Sequence, residues 1–211
     1  MEYQVQYQKY LEKVSSSLKE ACDRFLPEES EVCRAARYSL LGGGKRIRAV
    51  LVLSVCEMLG GDMAAAEQFA VAVEMLHCYS LIHDDLPCMD NDDLRRGRPS
   101  CHKAFSESTA MLAGDVLLTE AFEVIANAPA SAQACVRAAK ALGAGAGSHG
   151  MVYGQELDLK YEALAATEDQ LRLIHRNKTG ALINAAAQMG AAAAEADEET
   201  CNALEAYAYG I

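Results

Sequence analysis

The sequence has little of what several large protein classes require. It holds 19 lysines and arginines against 30 acidic residues, a formal net charge of -11, whereas a surface that follows nucleic-acid phosphates needs a basic excess. No apolar run reaches the roughly 18 residues of a membrane-spanning helix. The opening segment, MEYQVQYQKYLEKV, is too polar for a signal peptide. We therefore expect a soluble cytoplasmic protein that binds no nucleic acid and has no membrane span. The net charge does not exclude binding of a small anionic ligand.

Zinc-ligand spacing is also missing. None of the eight cysteines forms a CxxC pair, and several lie in apolar helical patterns, as Cys56 does in VLVLSVCEML. We interpret them as small hydrophobic residues in a reducing compartment.

Strand signals are scarce, since we find no alternating apolar pattern, no hairpin dipeptide and no low-complexity linker. Apolar residues instead recur three or four apart, which predicts helices. The predicted helices cover residues 7–26, 31–41, 45–59, 63–85, 108–128, 131–147, 167–194 with an interruption near Thr179 and Gly180, and a last helix from Asp197 in which the chain ends at Ile211. With 51% hydrophobic residues and alanine-rich helices that pack closely, we expect an all-α bundle forming one domain over residues 1–211.

A block of charge follows the fourth predicted helix, in LIHDDLPCMDNDDLRRGRP. Five aspartates lie between Asp84 and Asp93, and three arginines lie between Arg95 and Arg98. Converging carboxylates suit Mg²⁺, which completes its octahedron with waters and substrate phosphate. Arginines supply forked donors for the remaining phosphate oxygens. The block is therefore typical of a metal and polyanion site.

The aspartates can converge only if the helix ends near them. On a regular helix Asp84 and Asp90 would lie about 120° apart. Pro87 lacks an N–H and clashes with the preceding turn, so we expect the helix to end or kink there. An irregular turn over residues 86–89 would then carry Asp90 back toward Asp84 and Asp85.

Other interpretations of the block are weaker. A solvated loop with internal ion pairs is the usual fate of a charge run, but here the aspartates end a strongly apolar helix. An EF-hand counted from Asp90 would need glycine where Arg95 stands. A His-Asp phosphohydrolase built on His83 and Asp84 would need an upstream histidine, and none precedes His77.

A second candidate anion site lies in LGGGKRIRAVL. Lys45, Arg46 and Arg48 follow three glycines at the start of a predicted helix, and Lys45 and Arg48 share a face. Free N–H groups and the helix dipole favour an anion there. It is not a Walker loop, because no Ser or Thr follows the lysine. A capped surface helix with solubilising basic residues is the alternative.

Three weaker signals complete the set. His77 lies on the same helical stripe as Asp84, although a satisfied core histidine is the commoner case. Gln155 and Asp158 in GQELD share a helical face. NKTG, residues 177–180, offers a lysine and a hydroxyl before a glycine that weakens the helix.

Together and in this order, these segments resemble the trans-polyprenyl diphosphate synthases, and most of all the bacterial farnesyl diphosphate synthases. The resemblance runs from about Tyr38 to Ile211 through GGKRIR, YSLIHDDLPCMDNDDLRRGRPSCH, LAGD, GQELDL and HRNKTGALI. It implies an all-α homodimeric prenyltransferase with a deep central cavity. Such an enzyme joins isopentenyl diphosphate to an allylic diphosphate, dimethylallyl or geranyl, by Mg²⁺-assisted ionisation, condensation and proton loss.

The resemblance also implies a role for each residue. The metal would be held by Asp84, Asp85 and Asp90. The allylic diphosphate would contact Arg95, Lys178 and Thr179, with Gln155 also facing the C–O bond that breaks. Isopentenyl diphosphate would lie on Lys45, Arg48, His77 and Arg96.

Product length has a steric candidate in Tyr79, five residues before Asp84. A growing chain would meet this ring about 1.4 turns up the helix. An aromatic there, with the two extra residues inside DDLPCMD, resembles enzymes that stop at fifteen carbons, so we expect farnesyl diphosphate.

The chain departs from the family pattern at its end. Members continue from a segment like YAYGI to a second Asp-rich motif, so we expect these residues to lack part of the site and to be a fragment of a longer enzyme. A non-catalytic or regulatory subunit of a prenyl synthase is one alternative. A terpene cyclase of the same fold is another, but it would not need the second diphosphate site of GGKRIR and His77.

Overall fold

The structure is a computed structural model, and it describes residues 3–162, 164 and 166–210. Over these residues the chain is mostly helical and has very little sheet, which confirms the all-α prediction. The helices are α1 (Tyr3–Phe25), α2 (Glu31–Leu40), α3 (Ile47–Met58), α4 (Met63–Asp84), α5 (Cys101–Ala104), α6 (Glu107–Ala126), α7 (Ala132–Ala146), α8 (Met151–Tyr161), α9 (Glu168–His175), α10 (Ala181–Ala193) and α11 (Glu198–Ala208), with a π-helical segment, Arg176–Gly180, between α9 and α10. Two short strands, β1 (Leu94–Arg95) and β2 (Arg98–Pro99), form a hairpin after α4.

Several helices begin where the sequence supplies a capping side chain. Ser30, Ser106, Ser131, Thr167 and Asp197 each accept a hydrogen bond from the backbone N–H three residues later. Each cap of this kind contributes about 1 kcal/mol to helix stability. The starts of these helices are therefore set by local sequence.

Several predicted boundaries differ from the structure, and the first helix begins at Tyr3 rather than at residue 7. The helix expected from Lys45 begins at Ile47, because Arg46 has φ +51° and cannot continue a right-handed helix. The helix expected to run to the chain end finishes at Ala208, and Ile211 lies outside the described residues.

By its internal contacts the chain divides into two compact units. Unit 1 comprises Met1–Val50 and Ala70–Asn127, and unit 2 comprises Leu51–Phe69 and Ala128–Ile211. The expectation of one domain over residues 1–211 stays a prediction.

Unit 1 is built on a helix that is buried on all sides. From Ala70 to Leu76 every residue of α4 is buried, including Glu74 at 2% exposure. In the same unit α2 packs against α6, and α5 packs against both. The apolar character of α4 therefore matches its burial over residues 70–76, and the helix ends at Asp84.

Unit 2 rests on closely packed small side chains. Helices α7 and α10 pack together, and α10 also packs against α11. One buried cluster contains Val55, Ala187, Ala191, Leu204 and Ala208. Alanine lets helix backbones approach one another, as predicted from the alanine-rich sequence. No helix among the described residues is long and apolar enough to cross a membrane.

Candidate active site

The charged block after α4 folds as a closed turn. Helix α4 ends at Asp84, and after Pro87 the chain reverses so that the Asp90 N–H donates to the Asp84 carbonyl at 2.9 Å. The Leu86 carbonyl accepts from Met89 N–H at 2.8 Å. The backbones of Asp84 and Asp90 are thus joined, with Asp84 half-buried and Asp90 exposed. Pro87 ends the helix as its chemistry predicts.

Asp85 is engaged differently from its neighbours. Its carboxylate is 3% exposed and accepts hydrogen bonds from Arg95, whose Nε lies 2.9 Å from Oδ1 and whose Nη2 also contacts Oδ1. Hydrogen bonding to Asp85 raises the pKa of the Arg95 guanidinium. Asp92 is a weaker partner of the same arginine at 3.5 Å. Asp85 therefore fixes Arg95, and its expected ligation of a metal stays a prediction.

The arginines following the aspartates belong to the hairpin, which the sequence did not predict. Leu94 pairs with Pro99, and Arg95 pairs with Arg98. The two turn residues, Arg96 and Gly97, have φ +54° and +76°, as a type I′ turn requires. Asn or Gly usually occupies the first of these positions, so an arginine there gave no hairpin signal. The turn separates Arg95 from Arg96 and aims each at a different set of groups.

The hairpin is fastened to α2 by one aromatic residue. The Tyr38 hydroxyl donates to the Pro99 carbonyl at 2.8 Å, and the Arg98 guanidinium lies 4.2 Å from the centre of the Tyr38 ring. Phe105 contacts the same ring edge-on at 5.7 Å. The arginine-bearing hairpin is thus held to the helical body of unit 1.

Arg96 reaches the glycine segment of unit 1. Its Nη1 donates to the Gly43 carbonyl. A Cβ on Gly44 would lie 2.6 Å from Arg96 Cζ, and Gly44 has φ +125°, so only glycine fits there. Burial and then the nearby Arg46 lower the pKa of Arg96. A cation that is partly desolvated beside another cation favours an anionic partner.

The four residues predicted to hold isopentenyl diphosphate line one open cleft in unit 1. The cleft has a volume of ≈ 570 Å³. The lining residues that were predicted to bind the substrate are Lys45, Arg48, His77 and Arg96. Lys45 is exposed, and its carbonyl accepts from the Tyr7 hydroxyl. We call this site the basic cleft.

Arg48 and His77 form a pair inside the basic cleft. Arg48 Nη1 lies 3.3 Å from His77 Nε2. Burial and the positive charge of Arg48 lower the pKa of His77 to about 3, so its ring is neutral and Nε2 accepts from the arginine. The buried Arg48 Nε finds no hydrogen-bond partner among the described residues.

In unit 2 the predicted residues gather at the π-helical segment. Lys178 Nζ lies 2.5 Å from Asp158 Oδ2 of α8. A Cβ on Gly154 would overlap the backbone of Lys178, so glycine lets α8 approach the segment. Gln155 is half-buried and Thr179 is exposed. The interruption predicted near Thr179 is a π segment, a feature often found at functional sites.

The sequence also matches a known family model, described as polyprenyl synthetase, over residues 29–211. The chain belongs to the polyprenyl synthetase family. A farnesyl diphosphate synthase of Micrococcus luteus is 48% identical over 84% of this chain and 60% of its own length. Geranylgeranyl pyrophosphate synthase 4 of Arabidopsis thaliana is 45% identical over 88% of this chain and 51% of its own length. The chain spans about half the length of the curated relatives it matches.

Solved structures agree with this family. A geranyltransferase from Legionella pneumophila is 42% identical and matches with a TM-score of 0.90 over 96% of this chain and 73% of its own. An FPP/GFPP synthase from Zymomonas mobilis is 36% identical and matches with a TM-score of 0.91 over 97% of this chain and 77% of its own. The fold is therefore the helical fold of the isoprenoid synthases; the deep central cavity stays a prediction.

The aspartate turn fits the Mg²⁺ chemistry of a polyprenyl synthetase. Asp84 and Asp90 carry carboxylate oxygens, which are hard ligands, and a backbone hydrogen bond joins these two residues. Arg95 is bound to the neighbouring Asp85. Among the described residues, no three His, Cys, Asp or Glu side chains are gathered closely enough to hold a metal by themselves. That is compatible with Mg²⁺, because this ion usually takes only one or two carboxylates and completes its shell with water and phosphate.

Tyr79 lies on α4 above the aspartate turn. It is half-buried, and its ring contacts the His83 ring edge-on at 5.5 Å. His83 is held in turn by the Met111 carbonyl at 2.9 Å from Nε2. Burial raises the pKa of Tyr79. The ring is thus fixed against its own helix, as a steric stop for a prenyl chain would need.

Proposed function

We propose that the protein is a short-chain prenyltransferase that joins isopentenyl diphosphate to dimethylallyl or geranyl diphosphate. One observation carries the proposal: unit 1 has cationic side chains at two places, in the basic cleft and at the aspartate turn, where the cation is Arg95. Two diphosphate substrates need two such sets. A terpene cyclase needs only one, which disfavours that alternative.

The allylic diphosphate is assigned to the aspartate turn. Asp84 and Asp90 would hold Mg²⁺, and Asp85 would orient Arg95 toward the diphosphate oxygens. When bound, Mg²⁺ supplies Lewis-acid neutralisation of the leaving diphosphate. From unit 2 we assign Lys178, Thr179 and Gln155 to the C–O bond that breaks, as the family resemblance implies.

The reaction then follows from charge. The allylic C–O bond breaks, and its electron pair leaves with diphosphate, whose negative charge Arg95 at the aspartate turn stabilises. Lys45, Arg48 and Arg96 hold the diphosphate group of isopentenyl diphosphate. The double bond of this substrate supplies the electron pair that forms the new C–C bond to the allylic carbon. Loss of a proton from the former isopentenyl unit restores a double bond. Apolar helix walls would exclude the water that otherwise quenches the cation.

The proposed product is farnesyl diphosphate, with Tyr79 as the stop. Relatives are named both farnesyl and geranylgeranyl diphosphate synthase, so family membership alone leaves product length open. The aromatic ring five residues before Asp84 supports the shorter product.

We also propose a homodimer in the cytoplasm. The cysteines lie free in the structure, which supports a reducing compartment. A relative 43% identical to this chain is named as the large subunit of a heterodimeric synthase, so pairing with a different subunit is the alternative.

The test is a turnover assay on the 211-residue chain and on any longer form of the protein. Each is incubated with Mg²⁺, labelled isopentenyl diphosphate and one allylic primer, and the products are sized by chromatography. We expect Mg²⁺-dependent products of fifteen carbons that Asp84→Ala abolishes. Turnover retained in Asp84→Ala would remove the turn from the mechanism, and a longer form without turnover would contradict the function. Full turnover in the 211-residue chain would contradict the expectation that a further Asp-rich motif is required.

A further inference from the structure

We infer that Glu74 is a positioning residue for the basic cleft, which it shapes by holding Arg46. No motif of the sequence pointed to Glu74, and it does not contact a substrate in the proposed mechanism. The inference rests on the proposed function only where it assigns isopentenyl diphosphate to the cleft.

Glu74 lies where a carboxylate is costly unless it is paired. It is 2% exposed, inside the stretch of α4 whose residues are all buried. Its Oε2 accepts from Arg46 Nη1 at 3.0 Å, and the Arg46 side chain is itself 7% exposed. Its Oε1 lies 3.4 Å from the Ala49 N–H in the first turn of α3. Both oxygens thus bind the segment that carries the cleft cations.

Arg46 extends this connection to a third helix. Its Nη2 donates to the Leu40 carbonyl, the last residue of α2, at 2.5 Å. Arg46 also has φ +51°, a conformation that is strained for a non-glycine residue and persists only when the surroundings hold it. The ion pair with Glu74 and the bond to Leu40 hold its side chain, and its carbonyl accepts from the Val50 N–H at 2.9 Å. Without Glu74 the buried guanidinium would lose its only acidic partner among the described residues.

The backbone conformation of Arg46 also affects the positions of the cations on either side of it. Lys45 precedes it and Arg48 follows within one turn, so the backbone at Arg46 sets where both side chains start. One turn along α4, His77 contacts Arg48 at 3.3 Å. The same helix face therefore holds Arg46 through Glu74 and Arg48 through His77.

The main test compares binding of isopentenyl diphosphate to wild type and Glu74→Gln by calorimetry, without metal or allylic substrate. Gln keeps the shape and one acceptor but removes the charge. We expect the dissociation constant to rise roughly 10- to 100-fold, as when supporting partners of ligand-binding groups are removed. In turnover by a longer form of the protein, KM for isopentenyl diphosphate should rise while kcat and KM for the allylic substrate stay within about twofold. Equal binding by both proteins would overturn the inference.

Two controls separate positioning from general destabilisation. Leu18→Ala removes a fully buried side chain of α1 and should lower thermal stability without changing the dissociation constant. Arg46→Met with Glu74→Met removes both charges, so the chain should fold without an orphaned buried ion, yet bind weakly. Wild-type affinity in that double variant, or weakened binding in Leu18→Ala, would overturn the inference.

Hydrogen exchange tests the same claim without any ligand. Amides of residues 42–48 should exchange at least about tenfold faster in Glu74→Gln than in wild type, with α6 unchanged. Unchanged exchange in this segment would overturn the inference whatever the ligand proves to be. Absence of isopentenyl diphosphate binding in the wild-type chain would instead contradict the proposed function, and the exchange comparison alone would then decide the role of Glu74.

Discussion

Replacing Asp85 by Asn separates two roles that a carboxylate in the aspartate turn can have. The Asp85 side chain is 3% exposed and Arg95 is 33% exposed, so one partner is desolvated while the other keeps much of its hydration. Removing one partner of a fully buried pair costs roughly 3–5 kcal/mol. Because solvent screens Arg95 and Asn retains one acceptor, we expect a loss of about 2 kcal/mol in the free energy of unfolding. For a chain of this size that lowers Tm by about 4–8 °C.

The matched control is Asp92→Asn, which touches the same arginine at 3.5 Å from a side chain that is 53% exposed. It should change Tm by about 1 °C or less, because exposed pairs contribute little. Thermal unfolding is measured together with the Mg²⁺ concentration at half-maximal binding of a non-ionising analogue of geranyl diphosphate. Asp85→Asn should weaken binding of the analogue without moving that Mg²⁺ concentration, whereas Asp84→Asn should raise it. If Asp85→Asn moved the Mg²⁺ dependence as far as Asp84→Asn does, Asp85 would be a metal ligand and our assignment would be wrong.

Three further predictions follow from single side chains. Tyr79→Ala should lengthen the product beyond fifteen carbons by removing the proposed stop, and an unchanged product length on chromatography would exclude Tyr79 from that role. The folded-state pKa of His77, about 3, lies below its usual 6.5, so the unfolded chain takes up the proton first and stability is lost as pH falls from about 6.5 toward 3. Denaturant unfolding should therefore show wild type losing about 2 kcal/mol more than His77→Gln between pH 7 and about pH 4.5, and equal losses would contradict a buried neutral imidazole. Gly154→Ala should cost about 1–3 kcal/mol in thermal unfolding by overlap with the Lys178 backbone, whereas Gly180→Ala, whose new Cβ would meet its nearest atom at 3.4 Å, should be tolerated; equal effects would refute the packing argument.

Most helices of this fold were predictable because their apolar periodicity and end signals are local, whereas α5 and the bounds of α8 were not predicted. Periodic apolar residues, serine and aspartate caps, and Pro87 fix where α4, α6, α7 and α11 begin or end within a few residues. The aspartate turn was predictable for the same reason, since proline chemistry acts on adjacent residues. The residues of the basic cleft were found through their type and order along the chain.

The remaining features depend on residues far apart in sequence. Arg46 was interpreted as part of a basic helix start, yet its partner Glu74 lies 28 positions away and was given no role by any motif. Lys178 and Asp158 are 20 positions apart, so their contact at the π segment could not be read from spacing. The hairpin was missed because Arg96 occupies a left-handed turn position that usually holds Asn or Gly. In each case tertiary contacts override the local preference.

The central claim is that this chain carries two diphosphate sites that differ in their need for metal, and calorimetric titration of single-site variants tests it most directly. Isopentenyl diphosphate should bind without Mg²⁺, lose affinity in Arg48→Met and keep it in Asp84→Asn. The non-ionising analogue of geranyl diphosphate should bind only with Mg²⁺, lose affinity in Asp84→Asn and keep it in Arg48→Met. Loss of both ligands through the same substitution, in a variant that remains folded, would contradict the account.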